Sequence, residues 1–185
     1  LLGLSIGMNA YQFYRVTELN LNNSVVTKAL KDTQETLLGQ ESEAAKKAAA
    51  RLIQNLYNVP KKDAMQIAEW EVKYSRQYDI PLHIGLAITA KESGFNCYQV
   101  SSNGSSFGCK QINCFWWCKK FNTTKNELLT DREKNIEFGY KVLAENIART
   151  GSLKAGLAAY LGTGDPVQDQ QYAANILEKS KKFEV

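Results

Sequence analysis

Histidine is almost missing from this sequence, and acidic residues are missing from its most unusual segment. The only histidine is His83, the four cysteines include no C-x-x-C pair, and residues 95–120 contain no Asp or Glu. The first two absences disfavour a metal site, because structural metal sites are commonly built from closely spaced cysteine and histidine ligands. No metal and no cofactor is therefore predicted.

The chain also lacks a dense basic patch. Its 23 Lys and Arg residues outnumber 19 Asp and Glu residues, which gives a net charge of +4, but they are scattered along the sequence. Nucleic-acid-binding proteins usually concentrate their basic residues on one surface, so no nucleic-acid partner is predicted. A mildly basic surface suits a polyanionic partner, such as a cell wall or a membrane face.

No apolar run in the chain is long enough to cross a bilayer, and the apolar segment 1–8 is far too short. We interpret this segment as the tail of a membrane anchor or of a signal segment. The alternative is an amphipathic start that packs on the domain. Tyr11, Phe13 and Tyr14 beside Arg15 favour the first interpretation, because aromatic residues gather at membrane interfaces.

Strand signals are nearly absent, and helical patterns dominate. Residues 24–57 predict one helix, which Gly39 is able to interrupt, and a coiled coil is only weakly supported there. Further helices are predicted over 61–78, from Pro81 to the region of Glu92, from Asp131 to Gly151, over 153–160 and over 171–182. The sequence thus predicts a mainly α protein, with a helical stalk or anchor-proximal extension over 1–59 and one domain over 60–185.

Glu92 lies where the apolar pattern of residues 81–90 gives way to the polar, turn-rich residues 101–108. Burial and the negative end of a helix both disfavour a charged carboxylate, so we expect a raised pKa for Glu92. A carboxyl group tuned in this way can donate a proton to a leaving oxygen. The alternative is a solvated glutamate that merely follows a helix.

All four cysteines fall within residues 97–118, and their clustering predicts two disulfides in an oxidising compartment. We expect Cys97–Cys109 across a small hairpin with its turn at Asn103-Gly104, and Cys114–Cys118 along one helical turn. Three connectivities exist for four cysteines, and a metal site or free thiols are the alternatives.

Four motifs follow one another in the second half of the chain. They are Glu92–Asn96 (E-S-G-F-N), Val100-Ser101 with Gly108–Ile112 (V-S…G-C-K-Q-I), Asn135-Ile136 with Gly139, and Ala158–Tyr160 with Gly162 and Gly164, followed by Tyr172. Together they resemble the soluble-type lytic transglycosylases of the lysozyme superfamily, over about residues 70–183. The resemblance implies an α-rich, lysozyme-like domain with a small β-hairpin.

The resemblance also implies an activity and a set of site residues. Such an enzyme binds peptidoglycan glycan strands and cuts the β-1,4 bond between N-acetylmuramic acid and N-acetylglucosamine, leaving a 1,6-anhydro ring. Glu92 would be the single catalytic acid and then base. In the implied substrate site, Ser101 and Gln111 bond the substrate or orient Glu92, and Tyr160 contacts Glu92 or the muramic ring. Asn135 steadies the site from behind, and Tyr172 closes the back of the cleft. The aromatic run Phe115–Trp117 suits a sugar-stacking wall, with Trp116 as the candidate and at least one of the three expected in the core.

The absence of carboxylates in residues 95–120 favours this reaction over hydrolysis, which commonly needs a second carboxylate across the cleft; Asp165 is a distant candidate for that role. Two residues depart from the family pattern. Lys110 replaces an apolar residue, which is expected to change the contact with the substrate and to lower the pKa of Glu92 if the two are close. Leu161 replaces an asparagine, which removes a hydrogen-bonding side chain near the site. The alternatives are a hydrolytic muramidase of the same fold and a non-catalytic wall-binding component of a phage or secretion apparatus. The expected location is the periplasm or cell envelope, either anchored in the inner membrane or associated with a virion.

Overall fold

The computed structural model describes the backbone of residues 2–184 and the side chains of residues 19–21 and 23–184. The interpretation of the apolar segment 1–8, and of Tyr11, Phe13 and Tyr14, concerns side chains outside this set. The described chain is mainly helical with one small antiparallel sheet, as the sequence predicts. Among the described residues, no helix combines the length and apolar character that a membrane span needs.

The elements follow one another along the chain with short connections. The helices are α1 (Leu2–Tyr57), α2 (Lys61–Gln77), α3 (Leu82–Glu92), α4 (Cys114–Trp117), α5 (Lys125–Thr130), α6 (Arg132–Thr150), α7 (Leu153–Leu161) and α8 (Pro166–Ser180). The strands are β1 (Ser106–Phe107) and β2 (Ile112–Asn113), and a 3₁₀ turn, Lys181–Phe183, follows α8.

The chain divides into two units, Leu1–Ala44 and Ala45–Val185. The first is the N-terminal part of α1, which continues through Gly39 without a break, and its described apolar side chains, such as Leu30 and Leu37, are exposed. The second unit begins earlier than the predicted boundary at residue 60. The reason is that Ala49, Ala50 and Ile53 belong to its core, although the alanine-rich sequence around them is also typical of a solvated helix.

Helix α3 is the centre of the second unit. It is packed between α2 and α8, and its residues Ile84–Ala90 are all buried. A helix that is apolar all round is the kind that a core accepts, and Pro81 immediately before it sets the start of the helix. The last residue of α3, Glu92, therefore lies at one end of the core.

Local capping explains where α6 and α8 begin. Asp131 accepts a hydrogen bond from the Lys134 amide at the start of α6, and Gly151 ends this helix with a φ of 82°, both as predicted. Helix α8 begins at Pro166 and not at Gln171 as the sequence predicts. Asp165 accepts from the amide of Val167, and proline is well tolerated at the first helical position, so the helix extends further towards the N-terminus.

The two strands of the sheet are joined by residues 108–111 and not by the predicted turn at Asn103-Gly104. Ser101 accepts from the amide of Gly104, so the turn at Asn103-Gly104 exists and returns the chain from the bridge at Val100 to β1. Strands β1 and β2 themselves pair through Ser106–Asn113 and Phe107–Ile112, and residues 108–111 join them. Phe107 and Ile112 cover a second apolar cluster beside α5 and α6.

Candidate active site

Glu92 ends α3, and a strained turn holds it in place. The two residues after Ser93 both have left-handed backbone conformations, Gly94 with φ 57° and Phe95 with φ 67°. Such a conformation is costly for a bulky residue and persists only where packing enforces it. Phe95 is 4% exposed, and its ring centroid lies 4.8 Å from that of Tyr57. The turn behind Glu92 is therefore anchored in the core.

Two further links tie this turn to the β1–β2 segment. The Ser93 hydroxyl donates to the carbonyl of Cys109 over 2.8 Å, and Cys97 is disulfide-bonded to Cys109. The second disulfide joins Cys114 to Cys118, so both predicted pairings are confirmed and no cysteine is free. Among the described residues, no cluster of His, Cys, Asp and Glu side chains could hold a metal ion.

The surroundings of Glu92 raise its pKa, as its position in the sequence predicts. Burial of the carboxyl group is the largest effect and raises the pKa; the hydrogen bond from Tyr172 and the charges of Lys91 and Lys110 lower it only in part. The Tyr172 hydroxyl donates directly to Oε1 of Glu92. Because burial raises the pKa of Tyr172 well above its ordinary value, that hydroxyl keeps its proton and remains a donor.

Glu92 lies between two cavities, which we name the cleft cavity and the α8 cavity. The cleft cavity has a volume of about 190 Å³ and is lined by Glu92, Ser101, Ser106, Gln111, Ile112, Asn113, Trp117, Val142, Tyr160 and Leu161. The α8 cavity has a volume of about 450 Å³ and is lined by Lys91, Glu92, Leu161, Val167, Gln168, Gln171, Tyr172 and Asn175. Glu92 is the only carboxylate among the described residues that line either cavity.

Asp165, the distant candidate for a second carboxylate, has a structural role. It accepts hydrogen bonds from the amides of Val167 and Gln168, and from the side chain of Gln168, at the start of α8. It lines neither cavity beside Glu92. Its side chain is therefore used as a helix cap.

Ser101 and Gln111 both line the cleft cavity, but neither hydrogen-bonds Glu92. The Ser101 hydroxyl donates to Asn103 over 2.7 Å and accepts from the amides of Ser105 and Ser106, which is the pattern of a turn. The Gln111 amide nitrogen donates to the carbonyls of Gln99 and Gly108. Since both amide protons are used in this way, Gln111 can offer a substrate only its side-chain oxygen.

Of the two tyrosines near the site, Tyr172 and not Tyr160 makes the hydrogen bond with Glu92. Tyr172, expected at the back of the cleft, hydrogen-bonds Glu92, whereas the Tyr160 hydroxyl donates to the carbonyl of Lys110 over 2.9 Å. Their rings are nearly parallel, with centroids 6.5 Å apart. Tyr160 lines the cleft cavity, so its expected contact with the muramic ring stays a prediction.

Asn135 supports the site from behind and is not a substrate ligand. It is fully buried, its carbonyl oxygen accepts from the Lys110 amide, and its amide nitrogen donates to the carbonyls of Phe107 and Leu128. Assigning it to the substrate-binding group is wrong because every polar atom of its side chain is used inside the protein. The role of steadying the loop agrees with these contacts.

The aromatic residues after Cys114, Phe115–Trp117, have different surroundings. Trp116 is 67% exposed and contacts Phe115 edge to face, and it does not line the cleft cavity. Trp117 lines that cavity and stacks on Phe121. The residue beside Glu92 is thus Trp117, which sequence reasoning considered only as part of the run, because adjacent residues of a helix point in different directions.

Lys110 does not reach the cleft, contrary to the expected change in substrate contact. It is 1% exposed, and its Nζ lies 2.8 Å from Oε1 of Glu71, a residue that sequence reasoning missed. The available signal was an acid on the apolar face of α2, between Ala68 and Val72. A buried acid requires a partner. The sequence offered one in Lys110, a lysine at a position where the family pattern has an apolar residue.

The second departure, Leu161, does lie at the site. It is 38% exposed at the end of α7 and lines both the cleft cavity and the α8 cavity. An apolar side chain therefore borders both cavities at the position where the family pattern has an asparagine.

Comparison with known families identifies the same region of the chain. The sequence model described as Transglycosylase SLT domain matches residues 69–183, which is more than half of the chain. No curated protein matches the chain. The family match confirms the resemblance to soluble lytic transglycosylases and, with the helices and small sheet described above, the lysozyme-like fold class.

Proposed function

The chain belongs to the transglycosylase SLT domain family, and we propose that it is a lytic transglycosylase cleaving the β-1,4 bond between N-acetylmuramic acid and N-acetylglucosamine. The family carries a peptidoglycan-cleaving function of the transglycosylase type in general. The specific bond and product are our proposal. The observation that supports it is the single carboxyl group, Glu92, on the two adjoining cavities.

One carboxyl group is enough when the substrate provides its own nucleophile. Glu92, whose protonated form is favoured by burial, donates its proton to the glycosidic oxygen as the bond to C1 breaks. The resulting carboxylate then takes the proton of the muramic C6 hydroxyl while that oxygen bonds to C1. The products are a 1,6-anhydro-muramic end and a free 4-hydroxyl, Glu92 is protonated again, and no water is consumed.

The surrounding residues suit this cycle. The Tyr172 hydroxyl bonds Glu92 in both protonation states and stabilises the carboxylate formed in the first half of the reaction. Trp117 and Leu161 give the cleft cavity apolar surface beside the acid. Such surface suits the face of a pyranose ring.

The test is mass spectrometry of soluble products after digestion of purified sacculi. We expect muropeptides that are lighter by one water than hydrolysed ones, and Glu92→Gln should reduce their release at least about a thousandfold. The substitution keeps an acceptor for Tyr172, so the thermal unfolding curve should show a folded protein. Products with reducing ends only would favour the hydrolytic muramidase, and unchanged lysis by Glu92→Gln would refute the role of Glu92.

We further propose that the enzyme acts in the periplasm or cell envelope, within an envelope-spanning or virion-associated machine that opens the wall locally. The two disulfides support an oxidising compartment, and the net charge of +4 suits an anionic wall. Residues 1–59 would serve as the stalk or anchor-proximal extension. Fractionation of cells that produce the protein tests this proposal, which a cytosolic, fully reduced pool would contradict.

A further inference from the structure

The N-terminal part of α1 carries a line of apolar side chains that are open to solvent. Leu19, Val26, Leu30 and Leu37 are each between 55% and 66% exposed. They follow one another at spacings of seven, four and seven residues, so they lie within about 20° of one line along an α-helix. We name these four side chains the α1 stripe.

The segment 19–44 of α1 has little of its own to stabilise a helix. It contains Gly39 and three threonines, which are poor helix formers, yet the helix continues through Gly39 without a break. The ion pair of Lys31 with Glu35 spans 3.9 Å between side chains that are mostly exposed, and such pairs contribute little. Helices in proteins are stabilised mainly by burying an apolar face, so the α1 stripe needs a partner to cover it.

The shape and charge of this segment favour another helix over a membrane surface as that partner. A narrow stripe with a seven-residue repeat is the seam of a coiled coil, whereas a helix that lies on a membrane buries a broader apolar face. The segment 19–44 also contains four acidic residues and only two lysines. It therefore lacks the excess of basic residues that attracts anionic lipid.

The residues that complete the seven-residue pattern fit a second copy of the same helix. Asn23, Thr33, Gln40 and Ala44 occupy the remaining positions of the seam, which we define as these four residues together with the α1 stripe. An asparagine at one such position is typical of coiled coils, where it hydrogen-bonds across the interface and selects the partner. The polar side chains of the seam can thus bond those of an identical chain.

The charges of the segment do not oppose this association. No position of the seam carries a charged residue. Of the six charged residues in the segment 19–44, only Glu41 lies beside the seam, and the helical spacing places the other five on the opposite half of the helix. Two copies can therefore approach through their seams while most like charges stay apart.

The length of the seam is sufficient for a specific interface. The segment 19–44 covers between three and four heptads, which is the range that a coiled coil requires. Each Val or Leu of the α1 stripe removes on the order of 100 Å² from water when it is buried, so two copies remove about 800 Å² through the stripe alone. The other seam residues of both copies bring the total above the roughly 1,000 Å² of a specific complex.

From these observations we propose that the protein self-associates through the α1 stripe, which forms a coiled coil with a second copy of the chain. The proposal is independent of the proposed function, because it concerns residues 19–44 alone. Its consequence is that one assembly carries at least two copies of the unit that contains Glu92. Attachment of one copy to a surface then raises the local concentration of the other.

Sedimentation equilibrium of the full chain tests the proposal with two matched pairs of variants. Val26→Glu and Leu30→Glu each place a charge on the α1 stripe. Val25→Glu and Leu21→Glu make the same exchanges at side chains that are also exposed but lie on the opposite half of the helix. The two neighbouring valines thus differ chiefly in the face of α1 that they occupy.

We expect the wild type to associate reversibly as its concentration rises. Val26→Glu and Leu30→Glu should weaken this association at least about tenfold, and the two controls should leave it within about twofold of the wild type. A wild type that stays monomeric overturns the proposal. Association that the stripe variants do not weaken, or that all four variants weaken equally, overturns it as well.

Asn23→Leu should change the association in the opposite direction. A polar residue in the seam selects the partner at a cost in stability, so its replacement should strengthen the association about tenfold. Asn20→Leu is the control, because Asn20 is also exposed and lies about a quarter turn away from the α1 stripe. Equal strengthening by both variants would show unspecific apolar association and would contradict the seam.

Two further measurements exclude other causes. Tryptophan fluorescence during thermal unfolding reports on the unit Ala45–Val185, because Trp70, Trp116 and Trp117 all belong to it, and every variant should unfold like the wild type. Co-sedimentation with vesicles of phosphatidylcholine, with and without phosphatidylserine, tests the membrane as a partner. A chain that is monomeric in solution and binds vesicles through the α1 stripe would overturn self-association in favour of a lipid surface.

Discussion

The ammonium group of Lys110 lies 2.8 Å from one carboxylate oxygen of Glu71 and 3.0 Å from the other, and both side chains are inside the core. Tyr140 and Thr89 donate to the same carboxylate, and Lys110 also donates to the carbonyl of Gly85 over 2.8 Å. The charged network thus joins α2, α3 and α6 to the segment between β1 and β2. The positive charge of Lys110 in this network also lowers the pKa of Glu92 in part.

Removing only one charge of this pair should be strongly destabilising. Lys110→Met leaves the Glu71 carboxylate buried without a cation, so we expect the free energy of unfolding to fall by about 3–5 kcal/mol. The measurement is urea denaturation followed by circular dichroism.

The matched variant is the double substitution Lys110→Met with Glu71→Gln. It removes both charges and keeps an acceptor for Tyr140 and Thr89, so it should lose less stability than Lys110→Met alone. A double variant that is less stable than Lys110→Met would contradict a strong pairwise interaction.

Tyr172→Phe should move the pH dependence of activity. The hydrogen bond from Tyr172 lowers the pKa of Glu92, so its loss raises that pKa. Because the proposed reaction begins with protonated Glu92, the descending limb of kcat/KM should shift to higher pH by about one unit, while the maximum rate falls. Tyr160→Phe is the control, since its hydroxyl bonds the carbonyl of Lys110 and not Glu92. The same shift in both variants would argue against a specific effect of Tyr172.

Glu92→Gln should make the protein more stable, and increasingly so as the pH rises. Burial raises the pKa of Glu92 in the folded state. The contribution of Glu92 to the free energy of unfolding is therefore complete below the pKa of the unfolded state and is lost as the pH rises through the pKa of the folded state. At pH 4 the variant and the wild type should unfold alike. At pH 8 the variant should be more stable than the wild type. Thermal unfolding across this range checks the trend, and a difference that does not change with pH would contradict it.

The two disulfides should differ in their value to the fold and to activity. Replacing Cys97 and Cys109 by alanine opens the longer loop and should cost about 3 kcal/mol, whereas the same change at Cys114 and Cys118 should cost about 2 kcal/mol. The first pair also ties the turn after Glu92 to Cys109, so its loss should reduce kcat as well. Denaturant unfolding and lysis of sacculi measure the two effects. Equal losses of kcat in both variants would contradict this link to Glu92.

Much of the local structure could be predicted because its causes lie within a few residues. The cap at Asp131, the end of α6 at Gly151 and the turn at Asn103-Gly104 each depend on neighbouring side chains and amides. The start of α8 was missed although Asp165-Pro166 is such a local signal. The burial of Ile53 could not be predicted locally, since it depends on what packs against this residue.

The sequence by itself determined that this is a helical member of a known family, and that a single glutamate at the end of a core helix is the candidate acid. The order of the motifs and the acid-free segment 95–120 carry that information along the chain. Only the tertiary structure decided that Lys110 faces Glu71 and that Tyr172 and not Tyr160 bonds Glu92. Those outcomes depend on which distant side chains meet, and packing sets that in three dimensions.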